Sequence, residues 1–128
     1  MENNHFEIKV MVSVNLTEDK QKVIYALKNI FPNSELIENK NNLYIKRSDF
    51  KVLEKLKEKI KSKKSLAVLE RILYNNYHME NTWFLLNKQA AFSDVVAIIE
   101  NEDESPLGPI KITINGCNLE RIKEWFEK

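Results

Sequence analysis

The sequence predicts an α+β fold, a two-layer sandwich with helices on one face of a mostly antiparallel sheet, in the order β-α-β-β-α-α-β-β-β-α. Three observations carry this prediction. Segments near both ends alternate apolar and polar residues with the period of a half-buried strand. Other stretches place apolar residues every three or four positions, the period of an amphipathic helix. No Gly/Ser/Pro-rich linker or internal repeat divides the 128 residues, so one domain over residues 1–128 is expected.

The elements follow in order. Phe6, Ile8, Val10, Val12 and Val14 alternate with Glu7, Lys9, Met11 and Ser13, which makes the first strand. Thr17 is the expected cap of the first helix, with Glu18 and Asp19 favourable in its first turn. Val23, Leu27 and Ile30 line that helix, and Pro32 closes it because the residue before a proline disfavours helix. Short strands near residues 35–38 and 43–47 flank Lys40-Asn41-Asn42, which reads as a hairpin turn. Ser48 is the expected cap of a second helix with Phe50, Leu53, Leu56 and Ile60 inward. Ser62-Lys63-Lys64-Ser65 breaks it. Ser65 then caps a third helix with Leu66, Leu69, Ile72 and Leu73 inward.

In the second half, Trp83-Phe84-Leu85-Leu86 and residues 95–99 are apolar on both faces, as central strands are. Glu102-Asp103-Glu104-Ser105 reads as a polar loop. Ile110, Ile112 and Ile114 alternate with polar residues in a last strand. Asn118 caps a final helix carrying Leu119, Ile122 and Phe126 on one face.

Composition excludes several classes. Hydrophobic residues are 43% and charged residues 30%, the balance of a folded globular chain. The longest apolar runs fall far below the ~18 residues of a membrane span, and the first residues lack the pattern of a signal peptide. With one cysteine, Cys117, no internal disulfide exists, and a reducing, cytoplasmic setting is expected. Two histidines and one cysteine are too few for a closed zinc site. Gly108 and Gly116 are the only glycines, so neither a P-loop nor a dinucleotide fingerprint can be built. Glu102-Asp103-Glu104 lacks the spacing and glycine of a calcium loop. His5 and His78 lie far from Cys117 along the chain and no convergent partner is evident, so no catalytic residue, cofactor, metal or small-molecule substrate is expected.

The net charge of +1 hides an asymmetry. Residues 1–64 hold 14 Lys/Arg against 9 Asp/Glu, and residues 65–128 hold 6 against 10. Lys51, Lys55 and Lys59 stack at i, i+4 and i+8 on the second helix, where like charges repel by a few tenths of a kcal/mol per pair. Such a ridge suits an anionic partner such as RNA phosphate, and Lys46 and Arg47 extend it. It also suits a merely solvated helix face. Specificity for RNA would need stacking or base-edge contacts, and Tyr44 is the nearby stacking candidate. The β-α-β-β opening invites comparison with an RNA-recognition motif, but its Lys/Arg-Gly-aromatic run is missing. Ser105-Pro106-Leu107-Gly108-Pro109 is a rigid, shaped connection that serves either to position the last strand or as a contact for a protein partner or second copy.

Two segments, Leu86-Asn87-Lys88-Gln89-Ala90-Ala91-Phe92 and Ser105-Pro106-Leu107-Gly108-Pro109-Ile110, resemble the signatures of an archaeal family of uncharacterised proteins labelled RNA-binding and sometimes labelled an exosome subunit. Thr17-Glu18 after the first strand and the closing Trp125 also fit. The resemblance implies a fold similar to the large-subunit ribosomal protein that binds 5S rRNA, RNA as partner, and no enzymatic activity. The third helix departs from the family pattern: only Arg71 keeps the arginine character that many members show there. Asn87, Lys88 and Gln89 form a second candidate RNA cluster, with amide and ammonium donors together. Equally, Asn87 and Gln89 can satisfy backbone groups at a bend between strands.

Overall fold

The structure, a computed structural model, describes residues 6–128. The elements are β1 (Glu7–Ser13), α1 (Lys20–Ile30), β2 (Ile37–Asn39), β3 (Asn42–Arg47), α2 (Glu54–Ser62), α3 (Leu66–Asn76), β4 (Asn81–Leu86), α4 (Lys88–Phe92), β5 (Ile98–Ile99), β6 (Ile110–Asn115) and α5 (Leu119–Glu127). Two short 3-10 turns, Phe50–Leu53 and Glu102–Glu104, precede α2 and β6. All strand pairs are antiparallel in one sheet of order β2-β3-β1-β6-β4-β5. This is the α+β architecture the periodicities predict, enlarged by the short helix α4.

The strand alternation fixes the layers. Val10 faces Ile45 on one side and Ile112 on the other, and Ile112 faces Phe84. These side chains are buried, and with Ile8, Val12, Leu43 and Ile114 they form the inner face of the sheet. Leu27 and Ile30 of α1, Leu56 and Ile60 of α2, Leu69 and Leu73 of α3, and Ile122 and Phe126 of α5 join the same cluster. Burial of a side chain of this size is worth roughly 1.5–3 kcal/mol, so the cluster is what holds the helices on the sheet. Lys9, Met11, Lys111 and Thr113, on the other face of the sheet, are outside this cluster.

Several local expectations change. Asp19, not Thr17, caps α1, accepting from the Gln21 amide at 2.9 Å. The helix starts later because Glu18 turns back onto Lys88. Asp49, not Ser48, caps the turn that holds Phe50, accepting from the Lys51 amide at 3.0 Å. Lys51 and Leu53 therefore lie on a 3-10 turn, outside the α-helix proper. In the hairpin it is Lys40, not an asparagine, that takes the positive φ of 58°. Residues 95–99 do not form a central strand. Only Ile98–Ile99 pairs, at the sheet edge. Val96 is apolar because it sits on the irregular stretch packed beside α2, where Lys63 Nζ donates to its carbonyl at 2.8 Å. His5 lies outside the described residues.

Candidate nucleic-acid interface

Three lysines of α2, which lies on the helical layer, have partners within the fold: Lys55, Lys57 and Lys59. Lys55 Nζ is 3.2 Å from Asp94 Oδ1, and Lys59 Nζ is 3.4 Å from Asp94 Oδ2. Lys59 Nζ also donates to the Asp94 carbonyl at 2.6 Å. One carboxylate thus bridges two of the stacked ammoniums and relieves the repulsion that the bare sequence shows. Burial pushes the Asp94 carboxyl pKa up, but the two ammoniums outweigh this and hold it below its ordinary value. Lys57 Nζ sits 4.3 Å above the Trp125 ring, which in turn stacks on Phe50 at 5.0 Å. Lys51 is exposed, and Arg47 lies 3.7 Å from Asp49. Arg71 on α3 makes a two-pronged contact with Glu100 at 3.0 and 3.3 Å.

The 87–89 cluster divides. Asn87 is the N-cap of α4, accepting from the Ala90 amide at 3.0 Å, so the bend is a helix start between two strands. Gln89 is exposed. Lys88 corrects the expectation of an RNA contact: it is 0% exposed. Its ammonium donates to the Leu107 carbonyl at 2.6 Å, the Ser13 carbonyl at 2.9 Å and Glu18 Oε1 at 2.9 Å. Buried lysine is tolerated only when paired and hydrogen-bonded, and here every proton has an acceptor. The Pro-Leu-Gly-Pro connection is part of the same knot. The Ser105 hydroxyl donates to the Gly108 carbonyl, and Asn15 donates to the Leu107 carbonyl. Gly108 has φ +91°, and a Cβ there would meet Ser13 Oγ at 3.2 Å. Both signature segments therefore meet in one buried junction.

The open face of the sheet is a different surface. Its side chains form two rows of four, of which Leu85 alone is buried. Tyr44, Met11, Lys111 and Leu85 face one another in turn across β3, β1, β6 and β4. One step along, Lys46, Lys9, Thr113 and Trp83 do the same. The two aromatics stand at diagonal corners. Lys9 Nζ lies 4.6 Å above the Tyr44 ring and Lys111 Nζ lies 4.8 Å above the Trp83 ring. Among the described residues, Lys9, Lys46 and Lys111 have no carboxylate in ion-pair range. A hollow of about 190 Å³ beside Tyr44 is lined by Lys9, Ile37, Asn39 and Lys46. Glu102 approaches the face at its Pro109 end, near Lys111. Sequence reading singles out Tyr44 and Lys46 but misses Lys9, Trp83 and Lys111. Lys9 and Lys111 are signalled only as outward residues of alternating strands, and Trp83 has no such signal because its strand is apolar on both faces.

Among the described residues, no three His, Cys, Asp or Glu side chains converge as metal ligands, and no helix is long and apolar enough to cross a membrane. Cys117 is buried, and burial pushes its thiol pKa up.

A family model described as RNA binding matches residues 7–115. A UPF0201 protein of Pyrobaculum arsenaticum is 34% identical over 125 residues, covering 94% of this chain and 87% of the relative. One from Sulfurisphaera tokodaii is 32% identical over 124 residues, covering 94% and 86%. The crystal structure of a UPF0201 protein from Methanococcus jannaschii superposes with a TM-score of 0.78 at 30% identity, covering 95% of this chain and 99% of that one.

Proposed function

Because the chain belongs to the archaeal UPF0201 family, and the family model it matches is described as RNA binding, we propose that it binds RNA through the open face of its sheet and catalyses no reaction. The observation that carries this reading is the lysine set on that face. Lys9 and Lys46 stand directly opposite each other across β1 and β3. Like charges so placed destabilise a sheet, and no carboxylate among the described residues offsets them. A phosphate backbone would. Lys111 extends the positive strip, and Glu102 limits it at one end.

The ridge of Lys55 and Lys59 fits less well, since Asp94 bridges both ammoniums and offsets half of their charge. Lys51, Arg47 and Gln89 remain exposed, and they would add only peripheral attraction. A catalytic reading has little support: an active-site thiol needs a lowered pKa, and Cys117 is shifted the other way. In the Pro-Leu-Gly-Pro connection the Leu107 carbonyl accepts from Lys88 and Asn15 and the Gly108 carbonyl from Ser105, which favours its role as an internal brace over one as an external contact.

Fluorescence anisotropy of labelled RNA across a salt series tests the reading. Affinity should fall steeply with salt. The Lys46→Glu/Lys111→Glu variant should bind weakly, and its log–log salt slope should shrink by about 0.7 per lysine. The Lys51→Glu/Lys55→Glu/Lys59→Glu variant should stay close to wild type. Absence of RNA binding at low salt would overturn the proposal, and a self-associating species in its place would assign the face to a second copy.

A further inference from the structure

Resting on that reading and deepening it, we infer that the RNA recognised is single-stranded, with one base stacked on Tyr44 and another on Trp83. The two-row lattice of the open face carries this. Three strand spacings of about 4.8 Å and one two-residue step place the backbone positions that carry the rings roughly 16 Å apart. Only lysine, threonine and methionine side chains lie along the diagonal between them. The rings are half-buried, each with an ammonium rather than a carboxylate above it.

That placement favours an unpaired strand. In a duplex the base faces are stacked on one another and cannot reach two separated rings. A single strand can splay its bases, set one on each ring and run its phosphates over the lysines between. Lys9 and Lys111 are positioned for an exchange. In the free protein each ammonium rests on a ring. An arriving base takes the ring face, and the flexible stem lets the ammonium swing to the adjoining phosphate. Beside Tyr44, the hollow of about 190 Å³ presents Asn39, whose amide can donate to and accept from a base edge. The hollow beside Trp83 is smaller, about 60 Å³, and of its amides Asn76 already donates to the Trp83 carbonyl at 2.8 Å, so base preference is expected chiefly at the Tyr44 end.

The test uses the full chain with a short mixed-sequence RNA, offered single-stranded and annealed to its complement, at one low salt concentration. Tyr44→Ala and Trp83→Ala should each weaken single-strand binding by about tenfold, and Tyr44→Phe should retain it. Circular dichroism establishes that each variant is folded. Trp125→Phe leaves Trp83 as the sole tryptophan, and its emission should be quenched by the single strand. Duplex bound as tightly as single strand, with Tyr44→Ala and Trp83→Ala near wild type and Trp83 emission unchanged, would overturn this inference while leaving RNA binding intact. No binding of either RNA would overturn both.

Discussion

A lysine ammonium removed from water needs an acceptor for each proton, and Lys88 finds them on Ser13, Leu107 and Glu18. The Glu18 side chain is itself only 6% exposed. Removing one partner of such a pair strands the other charge, at a cost of about 3–5 kcal/mol. Lys88→Met should therefore lower stability by that order in urea unfolding. The double variant Lys88→Met/Glu18→Gln should recover part of the loss, because the stranded carboxylate is gone while the Asn15 contacts to Glu18 keep an acceptor. Gly108→Ala, at φ +91° and against Ser13 Oγ, should cost about 1 kcal/mol or more in the same measurement. RNA affinity of the folded fraction should be unchanged in all three.

At the scale of elements, two carboxylates tune helix docking with opposite pH signs. Asp94 ties α2 to the segment after α4, and its folded pKa lies below the ordinary 3.8. Its contribution is present above that value and is lost as pH falls through the lowered one. Glu70 on α3 is raised above 4.5 by a shared hydrogen bond with Glu127 of α5, then by burial and the Glu127 charge, with Lys123 opposing. Its contribution is present below 4.5 and is lost as pH rises through the raised value. Thermal melts across pH should show both effects. Asp94→Asn should lower the melting temperature at neutral pH and flatten the acid limb. Glu70→Gln should raise it at neutral pH and flatten the limb above 4.5.

Across the whole molecule, legibility followed whether a signal was local. β1 and β6 were readable because each has one buried face and so alternates. Asn118 was readable as a cap because capping acts over three residues. The 95–99 segment misled because an apolar run looks alike whether strands or a helix cover it. The pairing of the lysine ridge is not legible because Asp94, which offsets part of its charge, lies 35 residues beyond Lys59. The open face was not legible because Lys9, Tyr44, Trp83 and Lys111 meet only through strand register, which the sequence does not state. Nothing local in the sequence marks Lys88 as buried, so its ammonium looks there like a free donor.

The most direct test of the central claim, that RNA lies on the open sheet face, is an amide chemical-shift titration of the labelled protein with a short single-stranded RNA. The predicted result is a set of perturbations centred on β1, β3, β4 and β6 at Lys9, Tyr44, Lys46, Trp83 and Lys111, with α2 and α3 quiet. Perturbations centred on Lys51, Lys55 and Lys59, or none at saturating RNA, would contradict it.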